Sequence, residues 1–380
     1  MNNRKAKILK MFGVREDSIE WNDWHWQYKN RICDTEKLSS ILNISDKEKN
    51  DITSCLAKFR MAVTPYYASL MEDSCGTDPI RTQAIPAINE MEVYPWEMPD
   101  PLDEQGASPV KNIVHRYPDR VLFLVTKRCA TYCRHCSRRR FTGEEDSVIS
   151  NEETEIALEY IRKRPQIRDV LISGGDPLTM PDAQLDSILS KLREIKHVEI
   201  IRIGTRIPVT MPMRITAELL ITLKNYQPLW INTHFNHPKE LTEDSERACS
   251  RIVDAGIPLG NQSVLLKGIN DNADVMKELL LKLVKARVRP YCLYQCELVE
   301  GLEHFRTDVR TGINIIQSLS GNISGIAVPV FVIDAPGGGG KITISPDNII
   351  SLDNEKIIMR NYQGKNYAYP QPSRLAACRI

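Results

Sequence analysis

The sequence contains no apolar run long enough to cross a membrane, and its first residues, MNNRKAKILKMFGVRED, lack the apolar stretch of a signal peptide. It also lacks an excess of charge, because 50 basic and 49 acidic side chains leave a formal net charge of +1 at pH 7. A basic surface for nucleic acid or anionic lipid is therefore not expected. Neither an internal repeat nor a low-complexity tract is present. These absences predict a cytoplasmic globular protein without a membrane or nucleic-acid partner.

Cysteine is also scarce, with ten residues in 380. In a reducing cytoplasm such thiols are more often free or metal-bound than paired in disulfides. Most are scattered along the chain and are expected to be small buried side chains. Three of them, Cys129, Cys133 and Cys136, lie together in CATYCRHC and are followed at once by the basic stretch SRRRF. This group of thiols is the main chemical feature to be explained.

From about residue 120, short apolar β-rich runs alternate with longer helical patterns. Strands are expected at residues 121–126, 169–175, 198–206, 229–235, 259–266, 288–296 and 327–334. Such alternation predicts a parallel sheet covered by helices, and six or seven units favour a full or partial (β/α) barrel. We therefore expect an α/β fold in which residues 1–110 form a helical N-terminal region and connector, 111–345 the barrel and 346–380 a C-terminal extension.

Residues whose side chains can bind ligands or take part in catalysis follow the ends of these strands, where the catalytic groups of such barrels lie. The cysteine motif follows the first strand, and SGGD ends the second. Thiolates are standard ligands of iron–sulfur clusters, and three of them leave one iron of a four-iron cluster open to a substrate or cosubstrate. The alternatives are a zinc site with His135 as fourth ligand and a set of unrelated buried thiols. The spacing and position favour the cluster, and with it an enzyme.

The segment DAPGGGGK, residues 334–341, is the second focus. It does not fit a phosphate-binding loop, which needs glycine at the position of Ala335 and Ser or Thr at that of Ile342. It fits a flexible turn that ends in a solvated lysine, or a reactive amine on a compliant tether. A lysine that forms a Schiff base with pyridoxal 5′-phosphate (PLP) must later move aside for the substrate amine, and glycines permit this movement.

Two basic segments are further candidates. In HRYPDR, Arg116 and Arg120 could bind a phosphate in bidentate fashion while Tyr117 adds a hydroxyl, although a solvated basic turn is the alternative. In SRRRF, one arginine turned inward could hold a substrate carboxylate while the others face solvent or pair with acids. A nuclear-localisation or nucleic-acid role is weak for so short a block.

The cysteine motif after a first barrel strand resembles that of the radical S-adenosylmethionine (SAM) enzymes, in which the open iron binds SAM. SGGD resembles their glycine-rich segment that contacts the methionyl amino group. Longer segments, including HRYPDRVLFLVTKRCATYCRHCSRRRFTG, INTHFNHPKE, NQSVLLKGIND and VIDAPGGGGK, closely resemble the PLP-dependent lysine 2,3-aminomutases from about residue 90 to 365. This resemblance implies a partial barrel of the radical SAM type and three cofactors: a 4Fe–4S cluster, SAM and PLP.

The resemblance also implies a role for each candidate site residue. The cluster would be bound by Cys129, Cys133 and Cys136, and Lys341 would carry PLP as the catalytic amine. The other PLP contacts would be Arg116, Tyr117 and Arg120 at the phosphate, with Tyr294 near the cofactor. The SAM contacts would be Ser173, Gly174, Gly175, Asp176, His234 and Gln262. The substrate contacts would be Arg138 at the α-carboxylate, with Asp334 and Glu297 at the far end, where carboxylates suit a cationic side chain.

The implied reaction moves the α-amino group of a free basic L-amino acid to the β-carbon, in the first place L-lysine to β-lysine, and needs an external one-electron reductant. One departure bears on the substrate, because the family pattern has aspartate where Glu297 stands. Lysine fits if Glu297 bends. Otherwise its extra methylene favours arginine, ornithine or a different radical outcome on a basic amino acid. A radical enzyme that modifies RNA or protein is a more distant alternative.

A second departure bears on assembly. Family members carry a cysteine-rich tail that helps bind zinc between subunits, whereas this sequence ends in SRLAACRI with Cys378 and has Asn272 where the partner cysteine is expected. Zinc is therefore not expected, although a homo-oligomer, dimer or tetramer, still is.

Overall fold

The computed structural model describes residues 3–15, 18–73, 77–142 and 146–371. Its strands are β1 Ile113–Tyr117, β2 Arg120–Thr126, β3 Asp169–Gly174, β4 Ile200–Gly204, β5 Leu229–Thr233, β6 Leu259–Leu265, β7 Arg289–Gln295, β8 Val330–Ala335, β9 Gly340–Ile344, β10 Ile349–Leu352, β11 Lys356–Arg360 and β12 Asn366–Pro370. Its α-helices are α1 Asn3–Met11, α2 Trp24–Lys29, α3 Thr35–Ile41, α4 Asp46–Leu56, α5 Pro65–Ser69, α6 Pro79–Thr82, α7 Arg139–Thr142, α8 Asn151–Arg162, α9 Asp182–Glu194, α10 Ile207–Thr210, α11 Ala217–Lys224, α12 Glu243–Asp254, α13 Ala273–Lys285 and α14 Val309–Leu319. Within these residues, no helix has both the length and the apolar character needed to span a bilayer.

Strands β1 to β9 form one sheet in chain order. The strands from β2 to β8 are all parallel to their neighbours, with register pairs such as Phe123–Ile172 and Leu293–Phe331. The outer strands β1 and β9 pair antiparallel with β2 and β8. The seven parallel strands coincide with the seven predicted runs, so the predicted α/β fold with a partial (β/α) barrel is confirmed.

The two edge strands of this sheet approach each other at one point. The backbone N–H of Lys341 in β9 donates to the Tyr117 hydroxyl in β1, 3.0 Å away. Across the part of the chain that the structure describes, no backbone ladder joins β1 to β9. The sheet is therefore curled into an incomplete barrel, and a tyrosine side chain bridges its seam.

The helices between the strands bury one face against the sheet. In α13, Met276, Leu279, Leu280 and Leu283 are buried at the spacing of an amphipathic helix. α8 begins with a capping box in which the Ser150 hydroxyl accepts from a backbone N–H of the first turn. Local sequence thus fixes both where these helices begin and which face packs inward.

The N-terminal helices α1 to α6 pack onto the barrel. One hydrophobic cluster contains Ile8 and Ile80 from this region together with Ile172 from β3. A buried polar contact reinforces the packing, because the Tyr67 hydroxyl donates to the Glu240 carboxylate over 2.7 Å. The helical N-terminal region thus shares a core with the barrel, and the predicted domain boundaries at residues 110 and 345 stay predictions.

The C-terminal extension holds a second sheet, in which β10, β11 and β12 are antiparallel. No strands are expected in this extension from the sequence. The sequence pattern that indicates these strands is short, because it consists of β-branched and aromatic runs of four or five residues separated by the turn segments DNE and YQGK. Large apolar side chains of this sheet are exposed, including Ile349, Leu352 and Tyr369.

The expectation that zinc is not bound rests on Asn272 and Cys378, and the structure describes the first of them. Asn272 begins α13, and its side-chain oxygen accepts from the backbone N–H groups of Asp274 and Val275. This position thus serves as a helix cap. Cys378 lies outside the described residues.

Candidate active site

A cavity of about 1070 Å³ lies inside the barrel. Small residues keep this space open, because Gly204 and Gly260 both line it. A Cβ on Gly260 would lie 2.6 Å from the Asn232 side-chain oxygen. Barrels of this kind usually fill their interior with branched side chains. An open interior in which glycines and polar side chains lie among the apolar ones therefore indicates a ligand site.

The cavity brings together every residue that the sequence analysis assigned to a site. They are Arg116, Tyr117, Arg120, Cys129, Cys133, Cys136, Arg138, Ser173, Gly174, Gly175, Asp176, His234, Gln262, Tyr294, Glu297, Asp334 and Lys341. Parallel strands place their carboxyl ends at one rim, and the edge hairpins add Arg116, Tyr117 and Lys341. The individual roles of these residues stay predictions.

Close backbone approach fixes the loop that carries the cysteines. The backbone N–H groups of Gly175 and Asp176 donate to the carbonyls of Thr126 and Arg128 over 2.5 and 2.6 Å. A Cβ on Gly174 would lie 2.3 Å from the Thr126 oxygen, and one on Gly175 would lie 2.2 Å from the Arg128 oxygen. The glycines of SGGD therefore hold the start of the cysteine loop against β3. This is a structural requirement in addition to the predicted SAM contact.

The three thiols share a half-buried environment at the cavity. Burial, with the neighbouring thiols adding to it, raises the pKa of Cys129 well above its ordinary value and that of Cys136 to about 11. Soft thiol donors that disfavour one another's ionised form are suited to a positively charged metal group between them. The donor set thus fits an iron–sulfur cluster.

A zinc site at these cysteines would need His135 as a fourth ligand. The His135 Nε2 instead lies 3.2 Å from the Asn236 side-chain nitrogen, and its ring packs edge-on against Phe305. The Nε2 nitrogen of His135 is thus occupied, whereas its buried Nδ1 has no hydrogen-bond partner among the residues described. Over residues 3–15, 18–73, 77–142 and 146–371, no group of three or more His, Cys, Asp or Glu side chains has the arrangement needed to hold a single metal ion.

Arg206, which ends the GTR segment after β4, is a functional candidate that the sequence analysis left without a role. Its buried guanidinium donates to Cys133 Sγ at 2.7 Å, to the Glu240 carboxylate at 2.7 Å and to the Gln83 side chain at 2.6 Å. A cation bonded to a thiolate stabilises its charge and orients it. These partners lie 73, 34 and 123 residues away. The sole sequence signal was the position of Arg206 after a barrel strand.

The Asp176 carboxylate is occupied by contacts within the protein. One oxygen accepts from the Thr205 hydroxyl at 2.7 Å, and the other accepts from the Arg206 backbone N–H at 2.7 Å. Burial raises the pKa of Asp176 to about 6. The side chain therefore joins the end of β3 to the end of β4, and its predicted contact with SAM stays a prediction.

The predicted SAM and PLP regions meet at Gln262 and Tyr294. The Gln262 side-chain N–H donates to the Tyr294 hydroxyl over 3.2 Å. Burial, together with the cations of Arg206 and Arg138, lowers the pKa of nearby His234 to about 3. His234 is therefore a neutral donor and acceptor at ordinary pH.

Lys341 lies on β9, directly after a turn at residues 336–339, and its side chain is 45% exposed, as expected for a turn that ends in a solvated lysine; its role as an amine on a compliant tether stays a prediction. Three glycines within residues 337–340 have φ angles of 67°, 82° and 80°, so the glycines make the tight turn between β8 and β9. The Lys341 Nζ donates to Asp334 Oδ2 at 2.6 Å and lies 4.5 Å from the centre of the Tyr294 ring. A strand thus places this amine at the cavity wall, and a carboxylate holds it there.

The candidate phosphate ligands lie beside this hairpin. Arg116 and Tyr117 end β1 and Arg120 begins β2, so HRYPDR is a hairpin turn. The Arg120 guanidinium lies 4.1 Å from the centre of the Tyr117 ring. A Cβ on Gly338 would lie 2.6 Å from Arg116 Nη1. Two arginines, a hydroxyl and a bare glycine backbone form a basic cradle that fits the phosphate of PLP.

The candidate substrate ligands Arg138, Glu297 and Asp334 line the same cavity. The Arg138 Nε donates to both oxygens of Glu104, at 2.9 and 3.1 Å. The half-buried Glu297 has a buried oxygen, Oε2, that finds no hydrogen-bond partner among the residues described. Burial and the nearby Asp334 raise the pKa of Glu297 to about 8. A buried carboxyl without a donor fits a cationic group supplied by a ligand.

The raised pKa of Glu297 predicts a pH-dependent stability. The unfolded chain releases this proton near pH 4.5, whereas the folded protein holds it until about pH 8. The resulting stabilisation is complete below about pH 4.5 and is lost as the pH rises through about 8. Between pH 6 and 9, Glu297→Gln should gain roughly 2–3 kcal/mol of unfolding free energy relative to wild type. Urea unfolding of both proteins at several pH values measures this difference, and a difference independent of pH would show that Glu297 is already ionised at pH 6.

This chain is similar to known proteins over nearly its whole length. A family model described as Lysine-2,3-aminomutase matches residues 316–379, and one described as Radical SAM superfamily matches residues 123–280. An L-lysine 2,3-aminomutase of Clostridium subterminale is 52% identical over 372 residues, which cover 98% of this chain and 88% of the relative. An L-lysine 2,3-aminomutase of Bacillus subtilis is 48% identical over 353 residues, 93% of this chain and 75% of the relative. A glutamate 2,3-aminomutase of Clostridioides difficile is 45% identical over 365 residues, 96% of this chain and 86% of the relative.

Proposed function

Since the chain belongs to the lysine 2,3-aminomutase family, we propose that it moves the α-amino group of a free basic L-amino acid to the β-carbon and converts L-lysine to β-lysine. One observation carries this proposal. A single cavity holds three thiols, a lysine amine and the carboxyl of Glu297, one oxygen of which is buried without a hydrogen-bond partner among the residues described. The thiols would hold the group that generates the radical, and the lysine would hold the amino acid through PLP. The carboxyl would bind the cationic side chain of the substrate.

The residues of this cavity suit three cofactors. The radical SAM match supports SAM and a 4Fe–4S cluster, which the thiols of residues 129–136 would hold. PLP is part of the proposal, with Lys341 as its attachment point and Arg116, Tyr117 and Arg120 at its phosphate. When bound, these groups supply the radical that removes hydrogen from C3 and the conjugated system that stabilises the unpaired electron during nitrogen transfer.

The chain's own residues bind and orient the reacting amino acid. Arg138 receives its α-carboxylate. Lys341 Nζ bonds Asp334 at 2.6 Å, so this carboxylate can hold a proton beside the amine while amino groups exchange. Once Lys341 is engaged covalently, Asp334 is free to join Glu297 at the far end of the substrate. There the side-chain cation gives Glu297 a partner and lets it ionise.

The pair of carboxylates narrows the substrate class. Asp334 lies near enough to Glu297 to raise its pKa, so a substrate with a third carboxylate at this end would add repulsion. A cationic side chain is therefore favoured over that of glutamate, although one relative is named a glutamate 2,3-aminomutase. Because Glu297 is one methylene longer than the aspartate expected by resemblance, arginine and ornithine are the alternative substrates.

The function is tested by anaerobic incubation of the loaded enzyme with SAM, dithionite and a panel of lysine, arginine, ornithine and glutamate. Products are identified by mass spectrometry and NMR, and β-lysine is the expected result. Reaction of arginine or ornithine with lysine unchanged would overturn the substrate assignment, and reaction of none of the four would overturn the function. Glu297→Asp is the matched variant. Because one methylene of pocket length changes discrimination by roughly 10-fold or more, it should shift the lysine-to-arginine ratio of kcat/KM by about that factor.

The proposal has further parts that concern partners and location. They are an external one-electron reductant, a homo-oligomeric state as dimer or tetramer, and a cytoplasmic location without a membrane or nucleic-acid partner. Zinc is not included among the cofactors.

A further inference from the structure

A short strap, residues 100–106, lies between the N-terminal helices and the barrel. It folds back on itself, because the Asp100 carboxylate accepts from the backbone N–H groups of Glu104 and Gln105 at 3.1 and 3.0 Å. Asp103 has a positive φ of 48° at its bend. The strap is thus a defined turn, and two of its side chains, Leu102 and Glu104, line the cavity.

The strap is attached to the segments that carry the predicted PLP ligands. The Arg116 guanidinium donates to the Leu102 carbonyl and, at 3.2 Å, to that of Asp103. The Gly337 backbone N–H, in the turn before Lys341, donates to the Pro101 carbonyl at 2.9 Å. These bonds set the strap's position relative to the PLP end of the cavity.

Glu104 extends from the strap to the candidate substrate ligand Arg138. Both oxygens of Glu104 accept from Arg138 Nε, at 2.9 and 3.1 Å, and the two side chains are 11% and 23% exposed. Within the described ranges, the terminal nitrogens Nη1 and Nη2 of Arg138 donate to no protein group. A guanidinium binds a carboxylate best through two parallel N–H groups, and the Nη1–Nη2 edge offers such a pair.

We propose that Glu104 is a positioning residue for Arg138: it holds the guanidinium by Nε so that the Nη1–Nη2 edge receives the α-carboxylate of the substrate. This inference rests on the proposed function, in which Arg138 binds that carboxylate. An arginine without such a partner samples many rotamers, and ordering it opposes substrate binding. Glu104 orders the side chain before the substrate arrives.

Glu104 also compensates the positive charge of Arg138. The half-buried Arg138 lies in a cavity that Arg116, Arg120 and Arg206 also line. Glu104 neutralises Arg138 in the free enzyme without covering the edge that binds a carboxylate. The substrate then binds to a guanidinium that is already fixed and partly compensated, which favours correct orientation of C3 toward the cysteine loop.

Two ligands that differ in one group test this role. PLP-loaded and cluster-loaded enzyme, without SAM so that no turnover occurs, is titrated with L-lysine and with 1,5-diaminopentane, which lacks the carboxylate, and the PLP absorption is followed. Glu104→Ala should weaken lysine binding about 10-fold and leave diaminopentane within about 2-fold of wild type. Glu104→Gln keeps an oxygen acceptor for Nε and should recover part of the loss. Gln105→Ala, at an exposed neighbour in the strap, should bind both ligands as wild type does.

Other results of these titrations would contradict either the positioning role of Glu104 or the proposed function. Equal weakening of both ligands would assign Glu104 a general structural role, and unchanged or tighter lysine binding by Glu104→Ala would show that it does not prepare Arg138. Either result overturns the positioning role while wild-type binding of lysine upholds the proposed function. A wild-type enzyme that responds to no amino acid overturns both. In turnover, Glu104→Ala should raise KM about 10-fold with a smaller effect on kcat.

Discussion

Replacing Cys133 with alanine is expected to abolish the cleavage of SAM while PLP remains bound to the protein. Cys133 supplies one of three thiols, and its Sγ also accepts from the buried Arg206 at 2.7 Å. The variant removes a predicted cluster ligand and one partner of Arg206, which keeps its bond to the Glu240 carboxylate. Since the loss of an outer partner of a metal ligand already costs roughly 10–100-fold, loss of the ligand itself should lower 5′-deoxyadenosine formation by more than about 100-fold.

Three measurements on anaerobically purified protein check this expectation. Chromatography quantifies 5′-deoxyadenosine after addition of SAM and dithionite, metal analysis gives the iron content, and borohydride reduction reports bound PLP. Cys33→Ala changes an exposed thiol that does not line the cavity, and it should behave as wild type. Full iron content with normal SAM cleavage in Cys133→Ala would refute the cluster assignment. Loss of PLP together with iron would show that the cavity itself had collapsed.

The parallel strands and their helices could be predicted because each carries its own local signal. In β6, LGNQSVL, buried and less buried residues alternate along the strand, and α13 shows the helical spacing of buried side chains. The edge strands carry no such signal. β1 turns into β2 within HRYPDR, whose charges indicated a ligand site or a solvated turn. Four glycines before Lys341 indicated a turn or a tether, and they do form a turn, but they gave no sign that β9 pairs with β8, with Asp334 opposite Lys341.

The candidate site residues could be predicted from motifs, whereas their partners could not. Glu104 lies 34 residues before Arg138, Arg206 lies 73 residues after Cys133, and the Tyr117 hydroxyl meets a backbone N–H 224 residues later. A position at a strand end predicts which rim of the barrel a side chain occupies. The choice of partner depends on how far the sheet curls and on which rotamer each side chain adopts. The ion pairs that set the charge of the cavity could therefore be identified only from the structure.

Replacing Lys341 with alanine is expected to stop amino-group migration and covalent capture of PLP while SAM cleavage continues. Of the residues described around the cavity, Lys341 supplies the one primary amine of a side chain. Its Nζ is held between Asp334, at 2.6 Å, and the Tyr294 ring, 4.5 Å away. Because no other side chain there can form the same covalent link, the rate of β-amino acid formation should fall roughly 10³-fold or more.

Lys341→Arg separates the covalent role of this amine from its ion pair. Arginine keeps a cation beside Asp334 but does not form a stable covalent link with the PLP aldehyde. If the ion pair alone matters, Lys341→Arg restores migration. If the covalent link matters, it is as inactive as Lys341→Ala, and a small primary amine added to the alanine variant recovers part of the rate. Borohydride reduction and peptide mapping should place PLP on Lys341 in the wild type, and a label elsewhere would refute the assignment. Since neither substitution touches the cysteine loop, SAM cleavage should stay as in wild type, which distinguishes a missing amine from a collapsed cavity.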